Sequence, residues 1–356
     1  MSLEAVVDSL RLPDVIAERC VHSQIEQAGC RRCVDVCPRD AWVIDDEQLG
    51  IDVDRCDGCG LCVPACPGQA IVQERFPCER EWQGRSIAMA ICDPAADAEE
   101  APDPGIDEAR VPCLNAFGLH DILRLYRNGV RHWIVCSADC QRCERGAGES
   151  LARVVRRINR LLRSRGLPRI AWSSLPAPQW RGALRKTACG VGGGRFGRRG
   201  FFGNLLARGA QQAFDEAHDA PPPAPGRYLP APESGRAALY FFAPRLIEEA
   251  CNGCDACVRL CPREALLHDA QHSAYLIQFN DCDGCGLCVD ACAEQAILVD
   301  TWCEQPEPVR RIPLRGARCA SCGVEYHRPA AARPDDGRCP ICARVDHQRN
   351  LFQVLE

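Results

Sequence analysis

The residues of this chain that could do chemistry are its cysteines, and they arrive in sets. Cys251-x2-Cys254-x2-Cys257-x3-Cys261-Pro262 is followed by Cys282-x2-Cys285-x2-Cys288-x3-Cys292. Near the start, Cys56-x2-Cys59-x2-Cys62-x3-Cys66-Pro67 has the same spacing, preceded by Cys20, Cys30, Cys33 and Cys37-Pro38. Cys92, Cys113, Cys136, Cys140 and Cys143 occupy the middle, and Cys319-x2-Cys322 and Cys339-x2-Cys342 the tail. Thiolates are soft ligands that favour zinc and iron-sulfur sites. A disulfide framework is the competing reading. It fits poorly, because 28 cysteines packed as CxxC units with Asp-Gly-Cys-Gly turns are ligand loops rather than the staples of a small secreted domain. Free thiols in such number require a reducing compartment, so a cytoplasmic location is expected.

The paired runs resemble the bacterial two-cluster ferredoxins, electron carriers holding two 4Fe-4S cubanes. In that family three thiolates of one tight loop reach three corners of one cubane, and the fourth cysteine ligates the other. The resemblance implies that Cys251, Cys254, Cys257 and Cys292 hold one cluster and Cys261, Cys282, Cys285 and Cys288 a second. In the first module it implies Cys37, Cys56, Cys59 and Cys62 for one cluster. The other departs from the pattern, because Gln27 stands where Cys251 would align. Cys20 is the nearest substitute, giving Cys20, Cys30, Cys33 and Cys66; His22 as ligand, or a three-iron cluster, is the alternative. Short hairpins are expected over Ala41–Ile44 with Ile51–Asp54, and over Ala265–Leu267 with Tyr275–Phe279. Such modules bury little apolar surface, so metal-thiolate bonds must supply much of their stability.

From Ser86 to Leu175 the pattern changes. Apolar runs at Ser86–Ile91, Arg110–Pro112 and His132–Val135 read as strands, each ending at a cysteine, and Leu119–Arg127 and Leu151–Leu162 have helical periodicity. Alternating strands and helices predict an α/β doubly wound sheet with Cys92, Cys113 and Cys136 at its carboxyl edge, where such sheets bind ligands. Cys140 and Cys143 follow at once. This stretch resembles the delta-subunit domain of methyl-viologen-reducing hydrogenases, also found beside heterodisulfide reductases, in which five cysteines surround a 2Fe-2S cluster. That family usually has a cysteine pair after the first strand and Cys-Ser-Gly-Arg after the second. Here there is one cysteine in Cys92-Asp93-Pro94 and then Cys113-Leu114-Asn115-Ala116, so Cys143 has to complete the set. Buried structural thiols are the alternative.

Charge is unevenly placed. Between Leu151 and Ala210 there are 14 basic residues and no Asp or Glu in a chain of net charge -5, which leaves the remainder strongly acidic. A basic segment on an acidic molecule suggests self-complementary packing or a docking site for an acidic partner, with the helix at Leu151–Leu162 as the candidate face. Pro176, Pro178 and the Gly-Arg-rich run to Gly203 read as a linker with a short docking helix over Gly200–His218. Gly192-x-Gly194-x-x-Gly197 lacks the leading strand of a dinucleotide site, and the Arg-Gly-Phe segment stands without any nucleic-acid module around it. Arg198-Arg199-Gly200-Phe201-Phe202 looks like a twin-arginine motif, yet it lies mid-chain without an apolar run. In the tail, Cys319, Cys322, Cys339 and Cys342 have the spacing of a zinc ribbon; an S4 tetrahedron also fits the iron of a rubredoxin. His327 and His347 are expected at the surface, since the cysteine set is complete without them.

The expected architecture is therefore α+β and multidomain. A first dicluster ferredoxin-like module spans 1–80, an α/β hydrogenase-delta-subunit-like domain 84–176, a linker 177–237, a second module 238–303 and a zinc-ribbon-like tail 312–350. The expected cofactors are four 4Fe-4S clusters, a 2Fe-2S cluster and zinc. No nucleophile and base stand out, so a non-catalytic electron-transfer component of an oxidoreductase complex is expected rather than an enzyme. The resemblances imply a relay between cytoplasmic redox partners such as a hydrogenase, a formate dehydrogenase or a heterodisulfide-reductase-like flavoprotein. The alternative is a ferredoxin-type accessory or maturation factor for an oxidoreductase. No nucleic-acid partner, signal segment or membrane span is expected.

Overall fold

The computed structural model describes residues 12–45, 49–73, 77–98, 104–145, 150–189, 222–233, 235–334 and 336–344. The chain divides into two compact units. One comprises Met1–Glu26 and Cys30–Pro230, the other Gln27–Gly29 and Ala231–Glu356.

In the first unit, β1 (Asp14–Val15) pairs antiparallel with β4 (Ile71–Val72), and β2 (Trp42–Ile44) with β3 (Leu49–Ile51), Trp42 opposite Ile51. Cys33, Trp42, Cys62 and Ile71 form the buried centre of this small module. Two short helices, Arg32–Val36 and Cys62–Ala65, carry Cys33 and Cys62 into it. A core of so few residues, half of them cysteines, is consistent with folding that depends on metal.

A six-stranded sheet follows: β5 (Cys78–Trp82), β6 (Arg85–Cys92), β7 (Arg110–Val111), β8 (His132–Cys136), β9 (Ala171–Ser174) and β10 (Ala188–Cys189). Its order is β10-β5-β6-β8-β9, with β7 also pairing β6. β6 runs parallel to β7 and β8, and β8 to β9, whereas β5 and β10 join antiparallel. The sheet is thus mixed, a parallel centre with an antiparallel edge hairpin. Ile87 to Ile91 are all buried, as a central strand covered on both faces requires.

The helix Leu151–Ser164 buries Leu151, Val154, Val155, Ile158, Leu161 and Leu162 and leaves Arg153, Arg156, Arg160 and Arg163 exposed. A further helix, Ala177–Arg185, lies where the sequence reads as linker. Its Trp180 is fully buried and donates from Nε1 to the Ile134 carbonyl at 3.1 Å, so the sheet unit continues past residue 176. Pro176 and Pro178 stand at the helix start, where a missing N–H costs nothing. The expected helix over Gly200–His218, the Arg198-Arg199 motif and His347 lie outside the described residues.

In the second unit, β11 (Ala238–Leu246) pairs antiparallel with β14 (Ile297–Gln305). A four-stranded antiparallel sheet has the order β12 (Leu266–His268), β13 (Ala274–Gln278), β15 (Val309–Arg318), β16 (Glu325–Pro329). Tyr240, Ile277, Ile297 and Ile312 sit at the centre of its core. β15 pairs with the module's hairpin along its first half and with β16 of the tail along its second. The tail is therefore built onto the same sheet. Among the described residues, no helix is long and apolar enough to cross a membrane.

Candidate metal centres

In the first module, Cys20, the Cys30–Cys33 loop and Cys66 come together: Cys20, Cys30 and Cys66 are all close enough to raise the pKa of Cys33, and Cys30 that of Cys20 and Cys66. Burial comes first among the causes and pushes Cys33 up to about 12. His22 has its Nε2 2.7 Å from the Cys30 carbonyl oxygen, so that nitrogen braces the backbone of a thiol-bearing residue.

Cys37, Cys56, Cys59 and Cys62 line a small cavity with Trp42 and Leu61. Burial pushes Cys59 and Cys62 up to about 12. Backbone N–H groups of Ala41 and Ala70 donate to the Sγ atoms of Cys37 at 3.4 Å and Cys66 at 3.3 Å. Donors of this kind favour the charged thiolate over the thiol and so favour metal ligation.

The second unit repeats the arrangement. Cys257 interacts with Cys251, Cys254 and Cys292, and Cys288 with Cys261, Cys282 and Cys285. Ala296 N–H donates to Cys292 Sγ at 3.2 Å. Burial raises the Cys257, Cys282 and Cys285 thiols.

Both modules share one device that holds the loop. Asp283 Oδ1 accepts from Cys285 N–H at 3.1 Å while its Oδ2 meets Arg263 Nε at 2.9 Å. Asp57 Oδ1 accepts from Cys59 N–H at 3.2 Å while its Oδ2 meets Arg39 Nε at 3.3 Å. Each arginine directly follows the Cys-Pro pair of its module. Asp283 is buried to 2% exposure, which only a fixed charged and hydrogen-bonded partner makes tolerable.

Of the five middle cysteines, four line one cavity: Cys92, Cys113, Cys140 and Cys143, with Pro94, Leu114 and Arg145. Ala138 N–H donates to Cys92 Sγ at 3.4 Å. Cys136, at the end of β8, is buried beside Cys92 and is not among the lining residues. Asn115 fixes the Cys113 loop by accepting from Leu151 N–H at 3.0 Å, which ties it to the start of the long helix.

This cavity adjoins the first module. Arg145 lies 3.2 Å from Asp57 in the cluster loop and 3.6 Å from Asp93 beside Cys92, and it donates to the carbonyl of Pro112 beside Cys113. Cys113 is near enough to Cys59 to raise its pKa.

In the tail, the Sγ atoms of Cys319, Cys322, Cys339 and Cys342 all lie within 4.8 Å of one another. Cys319 Sγ accepts from the N–H groups of Cys322 and Cys339 at 3.5 and 3.2 Å, and these bonds pull its pKa down. Four converging thiols with N–H donors to sulfur are a complete tetrahedral set, the donor chemistry of a structural zinc or a rubredoxin-type iron.

Cys78 opens β5, and Cys303 lies on β14 opposite Tyr240. Neither belongs to a thiol set described above. Sequence reasoning missed a different group: His327, expected at the surface, is half-buried against Asp255 and near His268. Nothing in the local spacing of these residues signals their meeting.

Two segments match the family description 4Fe-4S dicluster domain, residues 28–71 and residues 243–293. A ferredoxin of Alicyclobacillus acidocaldarius is 39% identical over 69 residues, 19% of this chain and 82% of that protein. The chain belongs to the ferredoxin family. A protein of Hydrogenibacillus schlegelii titled Ferredoxin 7Fe is also 39% identical over 69 residues, covering 81% of its length. A ferredoxin of Rickettsia felis is 46% identical over 54 residues, about half of its length at 49%. The cysteines within residues 28–71 and 243–293 therefore belong to ferredoxin-type modules that bind 4Fe-4S clusters and transfer electrons.

Proposed function

We propose that this ferredoxin-type protein is an electron relay subunit, taking electrons from one redox protein and delivering them to another in the cytoplasm. The observation that carries this reading is the Arg145 junction, where Asp57 of a cluster loop and Asp93 beside Cys92 share one guanidinium. Two thiol sets held so close are suited to passing electrons between them.

In this reading the first module's clusters are held by Cys20, Cys30, Cys33 and Cys66, and by Cys37, Cys56, Cys59 and Cys62. The second module's are held by Cys251, Cys254, Cys257 and Cys292, and by Cys261, Cys282, Cys285 and Cys288. A 2Fe-2S cluster fits Cys92, Cys113, Cys140 and Cys143, with Cys136 as a buried neighbour, and the four tail cysteines take zinc. Each cluster supplies one-electron chemistry when bound. The chain's residues supply the rest. The N–H groups of Ala41, Ala70, Ala138 and Ala296 point at sulfur, and the paired Asp57 and Asp283 fix the loop backbones. The exposed arginines Arg153, Arg156, Arg160 and Arg163 form the docking face for an acidic partner. The resemblance of the middle domain to the hydrogenase delta subunit points to a hydrogenase, formate dehydrogenase or heterodisulfide-reductase-like flavoprotein as that partner.

The test begins with protein purified without oxygen. Four cubanes and one 2Fe-2S cluster give about 18 iron atoms, against about 16 without the middle site. The reduced protein is then mixed with such a partner in a stopped-flow instrument, and stoichiometric reoxidation is the expected outcome. Full iron content with no electron exchange, together with binding to an unfolded or apo-oxidoreductase, would overturn the relay in favour of an accessory factor.

A further inference from the structure

Three side chains outside every cysteine set converge in the second unit. Asp255 lies in the cluster loop between Cys254 and Cys257, His268 ends β12, and His327 is on β16 of the tail. Their ligand atoms all lie within 4.8 Å of one another. Asp255 Oδ1 is 2.8 Å from His327 Nε2 and 3.4 Å from His268 Nε2. The side chains are 12%, 25% and 14% exposed for Asp255, His327 and His268, so water reaches them poorly.

Hydrogen bonding alone does not account for this group. Tyr275 Oη also approaches Asp255 Oδ1, at 2.6 Å, so three polar groups crowd onto one carboxylate oxygen with two lone pairs. The same His327 Nε2 lies 3.2 Å from Tyr275 Oη, although a ring nitrogen carries either one proton or one lone pair. Among the described residues, His268 Nδ1 is buried without a hydrogen-bond partner. Asp255 itself is held at φ 62°, in the left-handed region that a non-glycine residue adopts at some cost. Polar groups drawn from three elements, over-supplied with contacts at one point and under-supplied at another, are what a ligand set presents when its ion is left out of the count.

We propose that Asp255, His268 and His327 bind a divalent first-row transition cation, Zn(II) or Fe(II), separate from the clusters and from the four-thiol tail site. Two imidazoles and one carboxylate are the donor set for these ions, and three protein ligands leave coordination positions open for water or a small anion. Tyr275 Oη is placed to donate to the ligating carboxylate as an outer partner. Because the ligands come from the cluster loop, the module hairpin and the tail strand, the ion fastens the tail onto the cluster loop.

The test uses the full chain, purified without oxygen. Zinc, iron and acid-labile sulfide are measured on wild type and on the His268→Ala/His327→Ala double variant. The expected result is a loss of one equivalent of zinc or iron with sulfide unchanged, which separates this site from any cluster and leaves the relay reading unaffected. Equal metal and equal sulfide in both proteins overturn the site. Should the double variant lose sulfide as well, wild-type protein dialysed against chelator decides the matter. Carbethoxylation of His268 and His327, read by peptide mass spectrometry, is expected to be suppressed at least tenfold by one added equivalent of Zn(II); labelling that zinc does not alter overturns the site.

Discussion

Arg145 Nε sits 3.2 Å from Asp57 Oδ2, an ion pair with both side chains about four-fifths buried, and it joins the cluster loop of the first module to the loop that follows Cys143. Burial pushes the Asp57 carboxyl up, but the Cys59 N–H and the guanidinium outweigh it and hold it below the ordinary carboxylate range. Removing the guanidinium leaves Asp57, among the described residues, with the more exposed Arg39 as its ion-pair partner beside the Cys59 N–H, and takes one partner from Asp93. Arg145→Ala is expected to lower stability by about 1.5–3 kcal/mol, the range for a hydrogen bond to a charged group. Asp57→Asn, which keeps a side-chain acceptor for Cys59 N–H, is expected to cost less. Denaturant midpoints of the two variants check the order, and a smaller loss in Arg145→Ala would show that the junction is held elsewhere.

Trp180 tests where the middle domain ends. Its ring is fully buried and its Nε1 is bonded to the Ile134 carbonyl in β8. Trp180→Ala is expected to cost about 3–5 kcal/mol, the usual range for deleting a buried aromatic ring. A loss within about 0.5 kcal/mol, as at a surface position, would mean that the helix Ala177–Arg185 is a linker after all. Unfolding followed by far-ultraviolet circular dichroism reads the difference.

The two dicluster segments were legible because ligand spacing is written locally: three thiols two residues apart must share a turn, whatever the rest of the chain does. The strands β6 and β8 and the helix Leu151–Ser164 were legible for a similar reason, since each carries its own apolar pattern. The helix Ala177–Arg185 was not, because its two prolines read as punctuation when they mark a start. β9, at four residues, is too short for a periodic signal. That Cys136 lies outside the lining of the middle cavity depends on how β8 ends. Asp255, His268 and His327 meet only because β15 carries the tail back onto the module's sheet, a pairing no local pattern announces.

Cluster retention should depend on pH in a definite direction. Burial pushes the Cys33, Cys59 and Cys62 thiols up to about 12, so in the metal-free chain they are protonated at neutral pH. Ligation requires thiolates, so loading releases protons and is favoured as pH rises, while acid favours loss. The rate at which a chelator removes iron is expected to be several-fold faster at about pH 6 than at about pH 8. Reconstitution in unbuffered solution should acidify the medium. An iron-loss rate that is flat or rises with pH would contradict the protonated-thiol picture.

Gly253 gives the sharpest steric test of how the tail is seated. Its φ is +76°, and a Cβ there would stand 1.9 Å from the backbone carbonyl oxygen of His327, which cannot swing aside as a side chain would. Gly253→Ala must therefore strain the Cys251–Cys254 turn, displace β16, or both. The expected outcome is loss of iron from the set containing Cys251 and Cys254, with the cluster held through Cys282 and Cys285 less affected. Gly316→Ala on β15 serves as the control, since a Cβ there meets nothing within 4 Å and the backbone is not left-handed; it is expected to change stability by no more than about 0.5 kcal/mol. Electron paramagnetic resonance of the dithionite-reduced protein, with iron and sulfide measured on the same samples, distinguishes loss of one cluster from collapse of the module. Full iron content in Gly253→Ala would mean that the tail does not press on the cluster loop in solution.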